Sequence, residues 1–197
     1  MVIEESKLKF EFPEENNTIK FDDTKFYREY FNKLPEGKGV DFITLNNGMI
    51  AFIEVKNCTG DEGNCRWRIA TDNKKKNTTS TTIDVTGRDS LDIEVSQKVA
   101  MTLAALAGAK SFGDRKESLA EIKELVNSFS EKILRDDKKK KYVILFLEGD
   151  FASHTKSKKM IMSALQKSIS RKLEWFDCKV SVVDSDTYDG KIFEIIK

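Results

Sequence analysis

Three charged residues stand in apolar surroundings and have the types and spacing of a hydrolytic site. Asp41 lies in an apolar run at positions 40–45, Glu54 lies in a second run at positions 49–55, and Lys56 directly follows that run. Glu54 and Lys56 are two residues apart, so they share one face of a strand. Burying a carboxylate without a partner costs several kcal/mol, which predicts a cation beside it. Two carboxylates suit Mg²⁺, and a neighbouring lysine can orient or deprotonate a water that attacks a phosphodiester.

The acid-x-lysine spacing is weak by itself, because charged residues make up 34% of the chain. The same spacing occurs at Glu36, Glu121 and Asp177, in a predicted turn, helix and strand edge. The apolar strand around Glu54 and the adjacent strand that carries Asp41 set this pair apart. The alternative is an ion pair at the margin of a sheet, worth about 0–1 kcal/mol if it is exposed.

The elements that must position these residues follow from local patterns. Asn46-Asn47-Gly48 joins the two apolar runs, and Asn-Gly between such runs predicts a β-hairpin. Alternation predicts strands at 7–12 and 65–70, and a continuous apolar run predicts a buried strand at 142–147. Two closing strands are expected at 179–183 and 191–196.

Helical periodicity predicts four helices, at about 24–34, 90–109, 116–135 and 160–176. Strands followed by helices and further strands indicate an α/β (α+β) fold, a central mixed sheet flanked by helices. With 197 residues and no interdomain linker, the chain is predicted to form one domain over residues 1–197.

The segment from Thr24 to Asn57, together with the helix after Ser90, resembles the PD-(D/E)xK nuclease superfamily. That superfamily has a restriction-endonuclease-like core of a helix, a three-strand meander, a helix and a further strand. The resemblance implies a metal-dependent nuclease, a hydrolase that cleaves DNA or, as a second choice, RNA. It implies Mg²⁺ or Mn²⁺ as the cofactor.

Carried over residue by residue, the resemblance assigns a role to each residue of the central motif. Asp41 and Glu54 are similar to the acidic metal ligands of the family, and the Val55 carbonyl to its backbone ligand. Lys56 is similar to the catalytic lysine. Val40 stands where the motif has proline, a substitution that the superfamily often shows.

The same resemblance adds candidates on two helices. Glu29 matches the acid that many members carry on the first helix. Gln97 and Lys98 match the polar residue that some members carry on the helix after the meander, Gln97 as a catalytic residue and Lys98 as a nucleic-acid contact. Glu94, one turn earlier, is a weaker match. Each of these has the alternative of a solvated residue on a helix.

Arg66 and Arg68 flank Trp67, and such a pattern can contact phosphates and stack on a base. The alternative, which we favour, is a strand whose aromatic residue faces the core. Cys58 and Cys65 are predicted to be free thiols, since three cysteines form neither a disulfide framework nor a zinc pattern, and the alternative is a reactive or metal-bound pair.

Composition limits the partners of the protein. The formal net charge of +1 excludes a broad basic surface that coats nucleic acid, so we expect local DNA contacts and a possible homodimer or protein partner. No Gly-rich phosphate loop is present. No apolar run is long enough to span a membrane and no signal peptide is recognised, which predicts a cytoplasmic protein. The alternative function is a catalytically silent member that binds nucleic acid or protein.

Overall fold

The computed structural model describes residues 1–46, 48–60, 62–74, 88–112, 117–130, 140–153 and 155–196. Within these residues the strands are β1 Val2–Glu5, β2 Leu8–Glu11, β3 Asn17–Lys20, β4 Phe42–Asn46, β5 Met49–Asn57, β6 Lys140–Glu148, β7 Lys179–Val183 and β8 Glu194–Ile196. The α-helices are α1 Lys25–Glu29, α2 Glu62–Arg68, α3 Leu91–Phe112, α4 Lys123–Ser128 and α5 Lys158–Lys172. Short 3-10 segments lie at Phe21–Asp23, Phe31–Lys33, Glu117–Ile122 and Glu174–Phe176.

The larger sheet has five strands in the order β3-β4-β5-β6-β7. Strands β3, β4 and β5 form an antiparallel meander, and β5, β6 and β7 run parallel to one another. A parallel connection needs a crossover, and α3 lies in the chain between β5 and β6. The smaller sheet is antiparallel, in the order β1-β2-β8. The predicted α+β class with a mixed central sheet is confirmed.

Side chains alternate between the two faces of β5 and so enter two cores. Phe52 packs in one core with residues of α3, α4 and α5. Ile53 packs in the other core with Phe10 of β2 and with Phe193. The helices therefore cover one face of the five-stranded sheet and the small sheet covers part of the other. Glu54 and Lys56 follow Phe52 at intervals of two, which places them on the helix-covered face.

The structure confirms the predicted hairpin, the buried strand β6 and the helix α3. At the hairpin turn, the Asn46 side chain accepts hydrogen bonds from the N–H groups of Gly48 (2.9 Å) and Met49 (3.1 Å). Of the helix predicted at 116–135, a 3-10 segment and α4 are described, and residues 131–135 lie outside the described residues. Strands β1 and β3 were not predicted.

Three predictions are wrong. The segment at 65–70 belongs to helix α2, not to a third strand, so the meander is completed by β3 instead. The helix predicted at 24–34 is α1 followed by a 3-10 segment, because the chain leaves helical geometry at Tyr30. Cys58 and Cys65 are joined by a disulfide with their Cα atoms 6.0 Å apart. That bridge ties α2 to the end of β5.

Candidate functional site

The site lies where β4 begins, β5 ends and α3 crosses them. Phe42 pairs with Ile53, and one further step of the same antiparallel register places Asp41 opposite Glu54. Helix α3 is held against this point by a hydrogen bond from the Val40 N–H to the Thr102 hydroxyl, 3.1 Å. The hairpin and the helix together bring side chains from distant parts of the chain into one pocket.

Both carboxylates are buried, Asp41 with 5% and Glu54 with 1% of its surface exposed. One Asp41 oxygen, Oδ2, accepts the Val55 N–H at 2.7 Å. This bond fixes the carboxylate relative to the backbone of β5. The other oxygen, Oδ1, faces the Lys98 ammonium, which also contacts Glu54.

Lys98 of α3 supplies the cation between the two carboxylates. Its ammonium donates to both oxygens of Glu54, at 2.7 and 2.8 Å, and lies 3.4 Å from Asp41 Oδ1. The Lys98 side chain is 13% exposed. One positive group therefore bridges two acidic residues in a site that is largely closed to water.

A second half of the site extends along β5 toward α2. The Lys56 ammonium lies 2.8 Å from Glu54 Oε1 and 3.5 Å from Glu94 Oε1. Glu94 also pairs with Arg68 through Oε2. Acidic and basic groups thus alternate through a set of six residues, which we call the charge cluster: Asp41, Lys98, Glu54, Lys56, Glu94 and Arg68.

Burial and charge act differently on the members of this cluster. Burial, and then repulsion by Glu54, raises the pKa of Asp41 to about 7 although Lys98 opposes the rise. Burial also opposes ionisation of Glu94, but Lys56, Arg68 and other cations outweigh it and lower the pKa of Glu94. For Lys98 burial is likewise outweighed, and Glu54 and Asp41 raise the pKa of its ammonium. Lys98 is therefore positively charged at neutral pH, whereas Asp41 gains or loses its proton near pH 7.

The two carboxylates have the chemistry of a site for a hard cation. Asp41 and Glu54 reach the same ammonium, so one cation can contact both of them. Mg²⁺ is commonly held by one or two carboxylates with water and substrate oxygens completing its shell. Among the described residues, no group of three or more His, Cys, Asp or Glu side chains is arranged to hold a metal ion. The donor set fits a cation that keeps much of its hydration, as Mg²⁺ does.

The structure brings some of the predicted site residues together and leaves others outside. Asp41, Glu54, Lys56 and the backbone of Val55 meet, as expected from the hairpin. Glu29 is exposed at the end of α1, and Gln97 is exposed on α3. Neither side chain has a described contact with the charge cluster. Lys98, for which a nucleic-acid contact is predicted, is the central cation of the site.

The two predicted arginine contacts also separate. Arg66 is exposed on α2, whereas Arg68 is buried and paired with Glu94. The Arg68 Nε is buried and has no described hydrogen-bond partner. Arg68 is therefore a member of the charge cluster, and only Arg66 keeps the exposure that a surface phosphate contact requires.

Sequence reasoning treated Glu94 as a weaker candidate and did not place Asp22 among the site residues. The signal for Glu94 was its spacing of four from Lys98, which puts both on one face of α3. Asp22 lies in the 3-10 segment before α1, and one of its oxygens is buried without a described hydrogen-bond partner. Burial raises its pKa, while the charges of Lys20 and Lys98 oppose the rise. Asp22, rather than Glu29, is thus the half-buried acid near α1 whose pKa is affected by the charge of Lys98.

The fold and the cluster define an α+β protein with a buried pair of carboxylates bridged by a lysine. The chain belongs to DUF6661, a family of unknown function, whose profile matches residues 24–197. No curated protein and no solved structure matches the chain. In the part of the chain that the structure describes, no helix has the length and apolar character needed to cross a membrane.

Proposed function

We propose that the protein is a metal-dependent nuclease of the PD-(D/E)xK type, acting on DNA in the cytoplasm, with RNA as the second choice of substrate. The observation that carries the proposal is the position of one cation, the Lys98 ammonium, between the buried carboxylates of Asp41 and Glu54. Lys56 lies beside them, with its ammonium 2.8 Å from Glu54. Two acids that can hold a metal ion and a lysine that can stabilise negative charge are groups that metal-assisted phosphodiester hydrolysis can use.

Asp41, Glu54 and the Val55 carbonyl are the proposed ligands of Mg²⁺ or Mn²⁺. The bound metal would supply a Lewis acid that stabilises negative charge on the phosphoryl group. The Asp41–Val55 hydrogen bond holds one ligand in place before any metal arrives. Lys56 is the residue that orients the attacking water and offsets the developing charge. Its exposure of 20% leaves it open to that water.

A cleavage assay tests the proposal. Single-stranded, double-stranded and branched DNA, and RNA, are incubated with Mg²⁺ or Mn²⁺ and with EDTA as a control. We expect cutting by the wild type that requires metal and falls at least about 100-fold in Lys56→Gln, the size of a lost general base or charge stabiliser. Lys172→Gln is the matched control, because Lys172 is 23% exposed and also bonds a buried carboxylate outside the site. Cutting that survives in Lys56→Gln and EDTA would contradict the mechanism.

A second candidate function is a catalytically silent binding module. The contacts of Lys98 and Lys56 with Glu54 favour it, because they balance the charge of the site. Lys98 and Lys56 together neutralise Glu54 without any metal, so the charge cluster can act as a structural clamp between β5 and α3. This candidate predicts no cutting of any substrate and no change in melting temperature when Mg²⁺ or Mn²⁺ is added. Such a result, in protein that is folded, would replace the nuclease proposal with a role in binding nucleic acid or a protein partner.

A further inference from the structure

Lys98 occupies the position between the carboxylates that a divalent cation would share. It satisfies both Glu54 oxygens and approaches Asp41, so the acidic pair already has a counter-ion within the chain. Glu54 Oε1 already lies 2.7 Å from the Lys98 ammonium and 2.8 Å from the Lys56 ammonium, so one oxygen can contact two cations. A divalent cation on the same oxygens would lie close to the Lys98 ammonium, and the two positive charges would repel each other. Entry of a metal therefore favours the separation of Lys98 from Glu54.

We propose that Lys98 is an internal competitor of the divalent cation: it keeps the site closed when metal is absent and is displaced when Mg²⁺ or Mn²⁺ binds. This inference rests on the proposed nuclease function and concerns the regulation of that site. Displacement leaves Lys98 as an unpaired cation beside the site, where its ammonium can form an ion pair with a phosphodiester. Metal binding and the attraction of substrate are coupled through this one side chain.

The positions of the groups support displacement rather than rearrangement of the acids. Asp41 is tied to the backbone of β5, and Glu54 projects from the same central strand. Lys98 reaches the acids from α3 through a flexible four-carbon side chain. The Asp41 carboxylate is fixed by a backbone hydrogen bond, whereas the described contacts of the Lys98 ammonium are all to side chains, so Lys98 can move by rotamer changes alone.

Lys172 serves as a control for Lys98, because its ammonium also pairs with a buried carboxylate but does so outside the charge cluster. Its ammonium lies 2.8 Å from Asp92, a fully buried carboxylate that also accepts from Ser90 (2.6 Å) and Ser168 (2.7 Å). Asp92 has hydroxyl donors besides Lys172, whereas the described partners of the Glu54 carboxylate are Lys98 and Lys56. Lys172 joins α5 to α3 and makes no described contact with the charge cluster.

The test measures Mn²⁺ binding without substrate, from the loss of the free Mn²⁺ signal in electron paramagnetic resonance. We expect Lys98→Gln to bind Mn²⁺ about tenfold or more tightly than the wild type, because a competing charge about 3 Å from the ligands is gone. Lys172→Gln should bind as the wild type does. Binding by Lys98→Gln alone supports the inference equally. Equal or weaker binding by Lys98→Gln overturns the inference but leaves the metal site standing, whereas no binding by either protein overturns the proposed function with it.

A second measurement uses the wild type and needs no variant to fold. Lysines are acetylated with an N-hydroxysuccinimide ester and the labelled peptides are quantified by mass spectrometry. Labelling of Lys98 should rise at least about threefold when saturating Mn²⁺ releases it from its carboxylates, while the exposed Lys179 should not change. Labelling of Lys98 that stays constant while Mn²⁺ is bound overturns the inference.

Discussion

The carboxylate of Asp41 accepts the backbone N–H of Val55 across the open end of the β4–β5 hairpin, at 2.7 Å. Val55 is the residue between Glu54 and Lys56, so this single bond places Asp41 against the backbone that presents both of them. The bond is stronger when Asp41 is ionised than when its carboxyl group is neutral. The geometry of the candidate site is therefore set by backbone pairing as well as by the ion pairs.

The raised pKa of Asp41 predicts a pH dependence of stability. Because its pKa rises from 3.8 to about 7, the folded protein binds this proton more tightly than the unfolded chain does. Ionisation of Asp41 then destabilises the fold as the pH rises from about 4 to about 7. We expect the free energy of unfolding of Asp41→Asn, measured in EDTA, to increase relative to that of the wild type by up to roughly 4 kcal/mol across that interval.

The measurement is urea unfolding of both proteins at a series of pH values. Other titrating groups are common to the two proteins, so their contributions cancel in the difference. A difference in the free energy of unfolding that stays constant between pH 4 and 8 would show that Asp41 has no raised pKa.

The Glu94–Arg68 pair predicts an energetic coupling between α3 and α2. Both side chains are about nine-tenths buried. Glu94→Gln leaves the Arg68 guanidinium without its counter-ion, and we expect a loss of about 3 kcal/mol in the free energy of unfolding. The double variant Glu94→Gln, Arg68→Met should lose at least 1 kcal/mol less than the sum of the two single variants. Additive losses in a double-mutant cycle by chemical denaturation would contradict the buried pairing.

The Cys58–Cys65 disulfide predicts how many thiols react before and after reduction of the protein. Cys178 is the free cysteine of the described chain, so the denatured, unreduced protein should react with one equivalent of Ellman's reagent and the reduced protein with three. Replacing Cys58 and Cys65 by serine should cost about 2 kcal/mol, the loop-closure entropy of so short a loop. Three thiols without reduction would show that the bridge does not form.

Gly149 and Gly108 predict opposite effects of the same substitution. Gly149 has φ +106°, and an added Cβ would lie 2.6 Å from the backbone N of Thr59. We expect Gly149→Ala to cost about 1–3 kcal/mol. Gly108 lies in α3 with no atom within 4 Å of an added Cβ, so Gly108→Ala should gain about 0.5 to 1 kcal/mol. Thermal unfolding of the two variants checks both signs, and a loss in each would contradict the packing described at Gly108.

The elements predicted correctly are those that a short stretch of sequence specifies by itself. The hairpin turn at Asn46 and the continuous apolar run of β6 each specify one structure within a few residues. The strand prediction at 65–70 failed because Cys65, Trp67 and Ile69 alternate with polar residues as they would in a strand. The segment forms a helix through contacts that the local sequence does not contain, the bridge to Cys58 and the pair between Arg68 and Glu94.

Within the site, the sequence specified which strand residues meet but not the rotation of the helix above them. Asp41, Glu54 and Lys56 follow from hairpin register and the two-residue repeat of a strand. Gln97 and Lys98 are neighbours on α3 and point about 100° apart, so only packing decides which of them enters the pocket. Thr102, which bonds the Val40 N–H, lies four residues after Lys98 and fixes that rotation.

The parallel pairing of β5 with β6 also has a consequence for synthesis of the chain. Met49 pairs with Lys140, about ninety positions later, and the closure of so long a loop is slow. At typical translation rates the hairpin leaves the ribosome roughly 5 to 20 s before β6. The three cluster residues at the hairpin emerge with it, the other three follow on α2 and α3, and β6 and β7, which complete the five-stranded sheet, emerge after them. By the end of that interval the nascent chain carries all its site residues while the β5 edge that later pairs with β6 is still unpaired, and an unpaired strand edge is prone to association with other chains.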